Sequence, residues 1–113
     1  MDITLPRGDI KHIKFSVTNR DGTKVVDFDE IYFTVKKDFK QTDYIIQKRL
    51  SQNTIIKGED DYFYFTLDPS DTDNLNYGSY VFDIELVKDN SIKQTTVGTL
   101  IVTNEVTFRE NEG

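Results

Sequence analysis

The chain has no cysteine and no tryptophan, and only one methionine, one histidine and two prolines among its 113 residues. Without cysteine there is no disulfide framework, no thiolate zinc site and no thiol nucleophile. A cysteine-free chain fits a reducing compartment and is equally compatible with an extracellular one. His12 is the lone histidine, so a Ser-His-Asp triad would depend on it, and no nucleophile-elbow motif accompanies it. Neither glycine-rich phosphate-binding pattern is present. No apolar run approaches the roughly 20 residues that span a bilayer, and Met1 to Arg7 contains no apolar run of signal-peptide length. Positive charge is scarce too: 14 Lys and Arg against 20 Asp and Glu leave a formal net charge of −6. This argues against nucleic acid as partner, because phosphate-backbone binding needs clustered cations. The adjacent basic pairs Lys36-Lys37 and Lys48-Arg49 read as solvated strand or loop charges.

What the chain does have is eight Phe, six Tyr and a period-2 pattern from end to end. Ile13, Phe15 and Val17 alternate with polar residues, as do Phe63, Phe65 and Leu67. Ile31, Phe33 and Val35 alternate with Tyr32, Thr34 and Lys36. Tyr80, Phe82, Ile84 and Leu86 alternate with Val81, Asp83, Glu85 and Val87. Successive side chains of a strand point to opposite faces, so each run has one core face. Such one-sided burial marks antiparallel sheets. Turn sequences separate the runs, notably Asn19-Arg20-Asp21-Gly22, Gly58-Glu59-Asp60-Asp61, Asn76-Tyr77-Gly78 and Lys88-Asp89-Asn90-Ser91. Strands are expected at 3–5, 10–18, 30–37, 44–50, 54–57, 62–67, 79–88 and 92–103. In the last, Val97 is out of phase with Leu100 and Val102, and a bulge at Gly98 would restore the alternation. A short helical turn is expected from Asp68 to Leu75, with Asp68 as cap and Pro69 in its first position.

These elements predict one all-β domain over residues 1–108, an immunoglobulin-like antiparallel sandwich of seven to eight strands, with 109–113 as a polar tail. The segment Asp71-x-x-x-Leu75-x-x-Gly78-x-Tyr80-x-Phe82 fits the corner before strand F of such domains. Tyr80 would hydrogen-bond back to the preceding turn, and Phe82 would take the core position of the antibody cysteine. The acidic residues Asp60, Asp61, Asp68, Asp71 and Asp73 invite a calcium reading, but their spacing lacks the glycine and terminal Glu of an EF-hand loop. Capping and solubility explain them better, and no cofactor or metal is expected. Asp83 and Glu85 share a strand face, and an exposed sheet surface accounts for them better than acid–base catalysis. Tyr32, Tyr62 and Tyr64 lie on the solvent phase of their strands and are the candidate partner-binding residues. If their strands are neighbours, the rings form an aromatic patch suited to a protein interface or a sugar.

Several stretches carry a resemblance. They are Ile3-Thr4-Leu5-Pro6-Arg7-Gly8-Asp9, Ile13-Lys14-Phe15, Ile31 to Lys37, Asp71 to Leu86, and Gly98 to Val102. Together they resemble small tail proteins of phages and prophages of Gram-positive hosts. They are similar to the N-terminal Ig-like domain of upper baseplate proteins, which carry the receptor-binding apparatus. Most of the resemblance lies in L-P-R-G-D and in L-x-Y-G-x-Y-x-x-D-I-E-L. It covers nearly the whole chain but stops at Gly113, where the longer baseplate proteins continue into a linker and distal domains. The resemblance implies a non-enzymatic structural module located in the virion tail, and in the host cytoplasm before assembly. Its partners would be other tail or baseplate proteins or further copies of itself, not nucleic acid or membrane. The alternative expectation is a module that binds a bacterial surface polysaccharide through Tyr62 and Tyr64.

Overall fold

The computed structural model describes residues 2–104. The expected tail at 109–113 and the last residues of the expected domain lie outside them. The strands are β1 (Asp2–Pro6), β2 (Lys11–Phe15), β3 (Val17–Thr18), β4 (Lys24–Val25), β5 (Glu30–Lys36), β6 (Ile46–Arg49), β7 (Ile56–Lys57), β8 (Phe63–Leu67), β9 (Gly78–Lys88) and β10 (Ser91–Thr103). A 3₁₀ turn covers Leu50–Gln52, and a short helix, α1, covers Pro69–Thr72.

Five strands form one sheet in the order β1-β10-β9-β5-β6, three form a second in the order β2-β8-β7, and β3-β4 is a small hairpin. The first sheet places the hairpin β9–β10 beside β5 and β6, and the second pairs β2 with β8, as in immunoglobulin-like sandwiches. The expected fold class is therefore present.

Alternation decides which face of each strand is buried. Phe33, Phe63, Phe65 and Phe82 point inward with Ile31, Val35, Leu67, Ile84, Leu86, Leu100 and Val102. Phe33 lies 4.4 Å from Phe65 across the sheets and 5.2 Å from Phe82 within its own, centroid to centroid. Phe15 stacks on Phe63 at 5.5 Å. Aromatic pairs at these spacings favour tilted and offset contacts and bury large apolar areas. This explains how a chain lean in aliphatic residues fills a two-layer core without disulfides.

Four details differ from the sequence reading. The pairing of β1 with β10 is parallel, in the register Ile3 opposite Leu100 and Leu5 opposite Val102. Alternation reports which face is buried and is blind to a neighbour's direction. No bulge occurs at Gly98, which sits in regular register opposite Phe82; the irregularity falls between Ile92 and Gln94. Val97 faces outward opposite Asp83 and is exposed. The expected strand at 10–18 breaks at Ser16, and its end forms the β3–β4 hairpin around Gly22. The expected strands at 44–50 and 54–57 shrink because Asn53, in the left-handed region at φ 60°, turns the chain between them.

Candidate functional site

At one pole, the two stretches that carry the resemblance meet. β9 begins at Gly78, whose φ of +136° a side chain rarely adopts. The Tyr80 hydroxyl donates to the Asn76 carbonyl at 2.8 Å, closing the corner. Phe82 fills the core beneath, and Leu75 packs against it. Leu75, Gly78, Tyr80 and Phe82 stand together at this corner. From the other stretch, the Arg7 guanidinium lies 4.5 Å over the Tyr77 ring and donates to the Leu75 carbonyl at 3.4 Å. The Gly8 N–H donates to the Thr72 hydroxyl at 3.0 Å, which accounts for a fully buried threonine. Sequence reasoning identified both stretches and missed that they are one contact network. A cation–π pair across this separation leaves no local signal.

α1 explains part of the acidic cluster. Asp68 and Asp71 form a capping box, with the Asp68 N–H donating to Asp71 at 2.9 Å. Its hydrogen bond from Ser70 holds the Asp68 carboxyl below the usual range. Asp71 also receives the Lys48 ammonium at 2.9 Å, in a pair with side chains only 13% and 15% exposed. Asp60 instead accepts from the Tyr64 hydroxyl, and Asp61 lies 3.9 Å from Lys57. Among the described residues no three His, Cys, Asp or Glu side chains converge as a metal site.

Lys48 and Arg49 are not the freely solvated charges expected. Lys48 faces inward on β6 and closes on α1. Arg49 lies 4.9 Å over the Tyr32 ring and bonds Glu30 through Nε and Nη2 at 3.3 and 3.0 Å. Glu30 is buried, which acts to raise its pKa, but bonds from Ser51, Arg49 and the Ile31 N–H outweigh burial and hold the carboxyl below its ordinary value.

The three candidate tyrosines do not share a patch. Tyr32 stands on the outer face of the five-stranded sheet, opposite Glu85. Tyr64 lies on β8 of the opposite sheet, opposite Lys14, and Tyr62 immediately precedes that strand. Lys14 and Lys24 lie 4.2 and 5.1 Å from the Tyr62 ring centre, and Lys14 lies 5.8 Å from Tyr64. The hydrogen bond to Asp60 pushes the Tyr64 phenol up and Asp60 down. All three rings are half-buried and already have a cation against them.

On the outer face of β9, Asp83 lies between Thr34 and Val97. Its Oδ1 is shielded from solvent and has no hydrogen-bond partner among the described residues. Burial raises the Asp83 carboxyl, partly offset by Lys36; burial and then the Asp83 charge raise Glu85. The two are therefore less solvated than a simple exposed face implies.

Two openings lie along one flank, between the sheets. One of about 260 Å³ is lined by Phe15, Val17, Ile84, Leu86, Gln94 and Thr96. It runs into a second of about 430 Å³ that reaches Phe28, Lys88 and Lys93. Both are open clefts at the side of the sandwich.

No protein-family model matches this sequence, and a search of curated proteins finds no match.

Proposed function

We propose that this chain is a non-enzymatic structural and protein-interaction module of a phage or prophage tail, placed at or near the baseplate. The observation that carries the reading is the junction of Arg7 and Gly8 with Thr72, Leu75 and Tyr77. Two stretches more than sixty residues apart, resembling tail proteins, build a single structural unit, so the resemblance rests on a connected feature of the fold. An immunoglobulin-like sandwich with its interior filled by side chains offers partners its faces, edges and flank. Fold does not determine function, and the placement in a tail rests on the sequence resemblance. The glycan reading has less support: Tyr62 and Tyr64 present half-buried rings whose faces meet Lys14 and Lys24.

The test is deletion of the gene in the phage or prophage that encodes it, followed by negative-stain electron microscopy of the particles. Tails with an incomplete or missing baseplate are expected, with restoration from a plasmid copy. Intact, infectious particles from the deletion would overturn the proposal.

A further inference from the structure

β10 is longer than its neighbour on one side. β1 pairs only with Thr99–Thr103, so Ser91–Gly98 have no backbone partner on that flank among the described residues. This open edge borders the cleft floored by Phe15, Val17, Ile84 and Leu86. On the far side of the cleft, β2 is likewise unpaired along its outer edge among the described residues.

Proteins usually guard exposed edges with charge, proline, bulges or brevity. The other edges here follow that practice. β1 ends in Pro6, β6 carries Lys48 and Arg49, β7 has two residues, and β2 carries Lys11 and Lys14. The open run of β10, Ser-Ile-Lys-Gln-Thr-Thr-Val-Gly, carries one lysine and the irregularity between Ile92 and Gln94, beyond which Gln94–Gly98 runs in regular register and is rich in strand-forming residues.

We infer that the open edge of β10 at Ser91–Gly98 accepts an extended segment of a partner protein, which pairs with the backbone and sends alternate apolar side chains into the cleft. Main-chain pairing supplies affinity in such strand addition, and pockets for alternate side chains supply specificity. The added strand lies in line with β1 and prolongs the existing β1–β10 ladder. Its cleft-facing positions sit beside Gln94 and Thr96, over Ile84, Leu86 and Phe15. Lys93 is exposed and has no carboxylate partner among the described residues, so the segment carries an acidic residue at that end. The same run of a second copy fits poorly, because it would offer Gln94 and Thr96 to an apolar floor. The inference rests on the reading of this chain as an interaction module and names where a partner docks.

The experiment is a titration of the ¹⁵N-labelled full chain with the capped peptide Asp-Ile-Thr-Val-Thr-Ile-Thr, followed by amide NMR and hydrogen exchange. Shifts and slowed exchange are expected at residues 91–98 and 15–18. Thr96→Lys, which puts a charge into the cleft, should abolish them while leaving the melting temperature unchanged. An equal-composition peptide with its alternation broken should bind far more weakly. Absence of binding, equal binding of the broken peptide, or shifts confined to β6 would overturn the inference. So would a peptide-free dimer formed through residues 91–98. None of these results depends on particle assembly, so failure here is distinct from failure of the gene-deletion test.

Discussion

Tyr80 is 4% exposed, and its hydroxyl is the polar tip it carries into the core. The bond to the Asn76 carbonyl satisfies both groups. Tyr80→Phe keeps the ring and leaves that carbonyl without its partner. It should cost about 1–2 kcal/mol in urea unfolding with an unchanged m-value. Asp83 presents the reverse situation. Its pKa is raised by burial, so the folded state binds its proton more readily than the unfolded state. Its contribution is therefore unfavourable at neutral pH, and the penalty is relieved as pH falls through the folded value toward 3.8, the ordinary value. Asp83→Asn should raise the melting temperature at pH 7. The rise should be a few degrees at most, since solvent screens a part-exposed carboxylate. The gain should vanish in acid, where wild type is already protonated; thermal melts across pH check this. Lower stability of the variant at pH 7 would contradict the assignment. The corner residues were legible in the sequence because their spacing is local. The state of Asp83 was not, because it depends on what Thr34, Val97 and Lys36 place around it.

At the scale of elements, β6 and α1 are tied by one ion pair. Lys48 lies on the inward phase of β6, where an aliphatic residue is the usual occupant. It is tolerated because Asp71 meets it 2.9 Å away. Lys48→Met keeps the apolar stem but leaves Asp71 largely buried without its cation. A loss of about 1–3 kcal/mol is expected by chemical denaturation, the cost of leaving a shielded polar group without its partner, and below that of a fully buried pair because both side chains keep some solvent contact. The double variant Lys48→Met with Asp71→Asn should recover part of that loss. Most strands were legible from alternation, as the buried sets of β5, β8 and β9 show. The direction of β1, the β3–β4 hairpin and the true place of the irregularity in β10 were not. They depend on pairing partners distant in sequence, which periodicity does not encode. Tyr32 stands apart from Tyr62 and Tyr64 for the same reason: solvent phase was readable along each segment, but which sheet the segment joins was not.

For the whole molecule, fold and function stand at different distances from the sequence. The two-layer arrangement follows from runs with one apolar face and from aromatic residues that meet across the layers. A partner enters through surfaces, and there the sequence offers only exposure and charge. The Arg7–Tyr77 junction links the resemblance to a physical unit, while the flank of β10 offers backbone groups and an apolar cleft. Both fit a module that works inside a larger assembly. The most direct measurement is quantitative mass spectrometry of density-purified tail particles from the strain that encodes this chain. Peptides of this chain in fixed stoichiometry with the tail proteins are the predicted result. Complete particles that lack it would contradict the account.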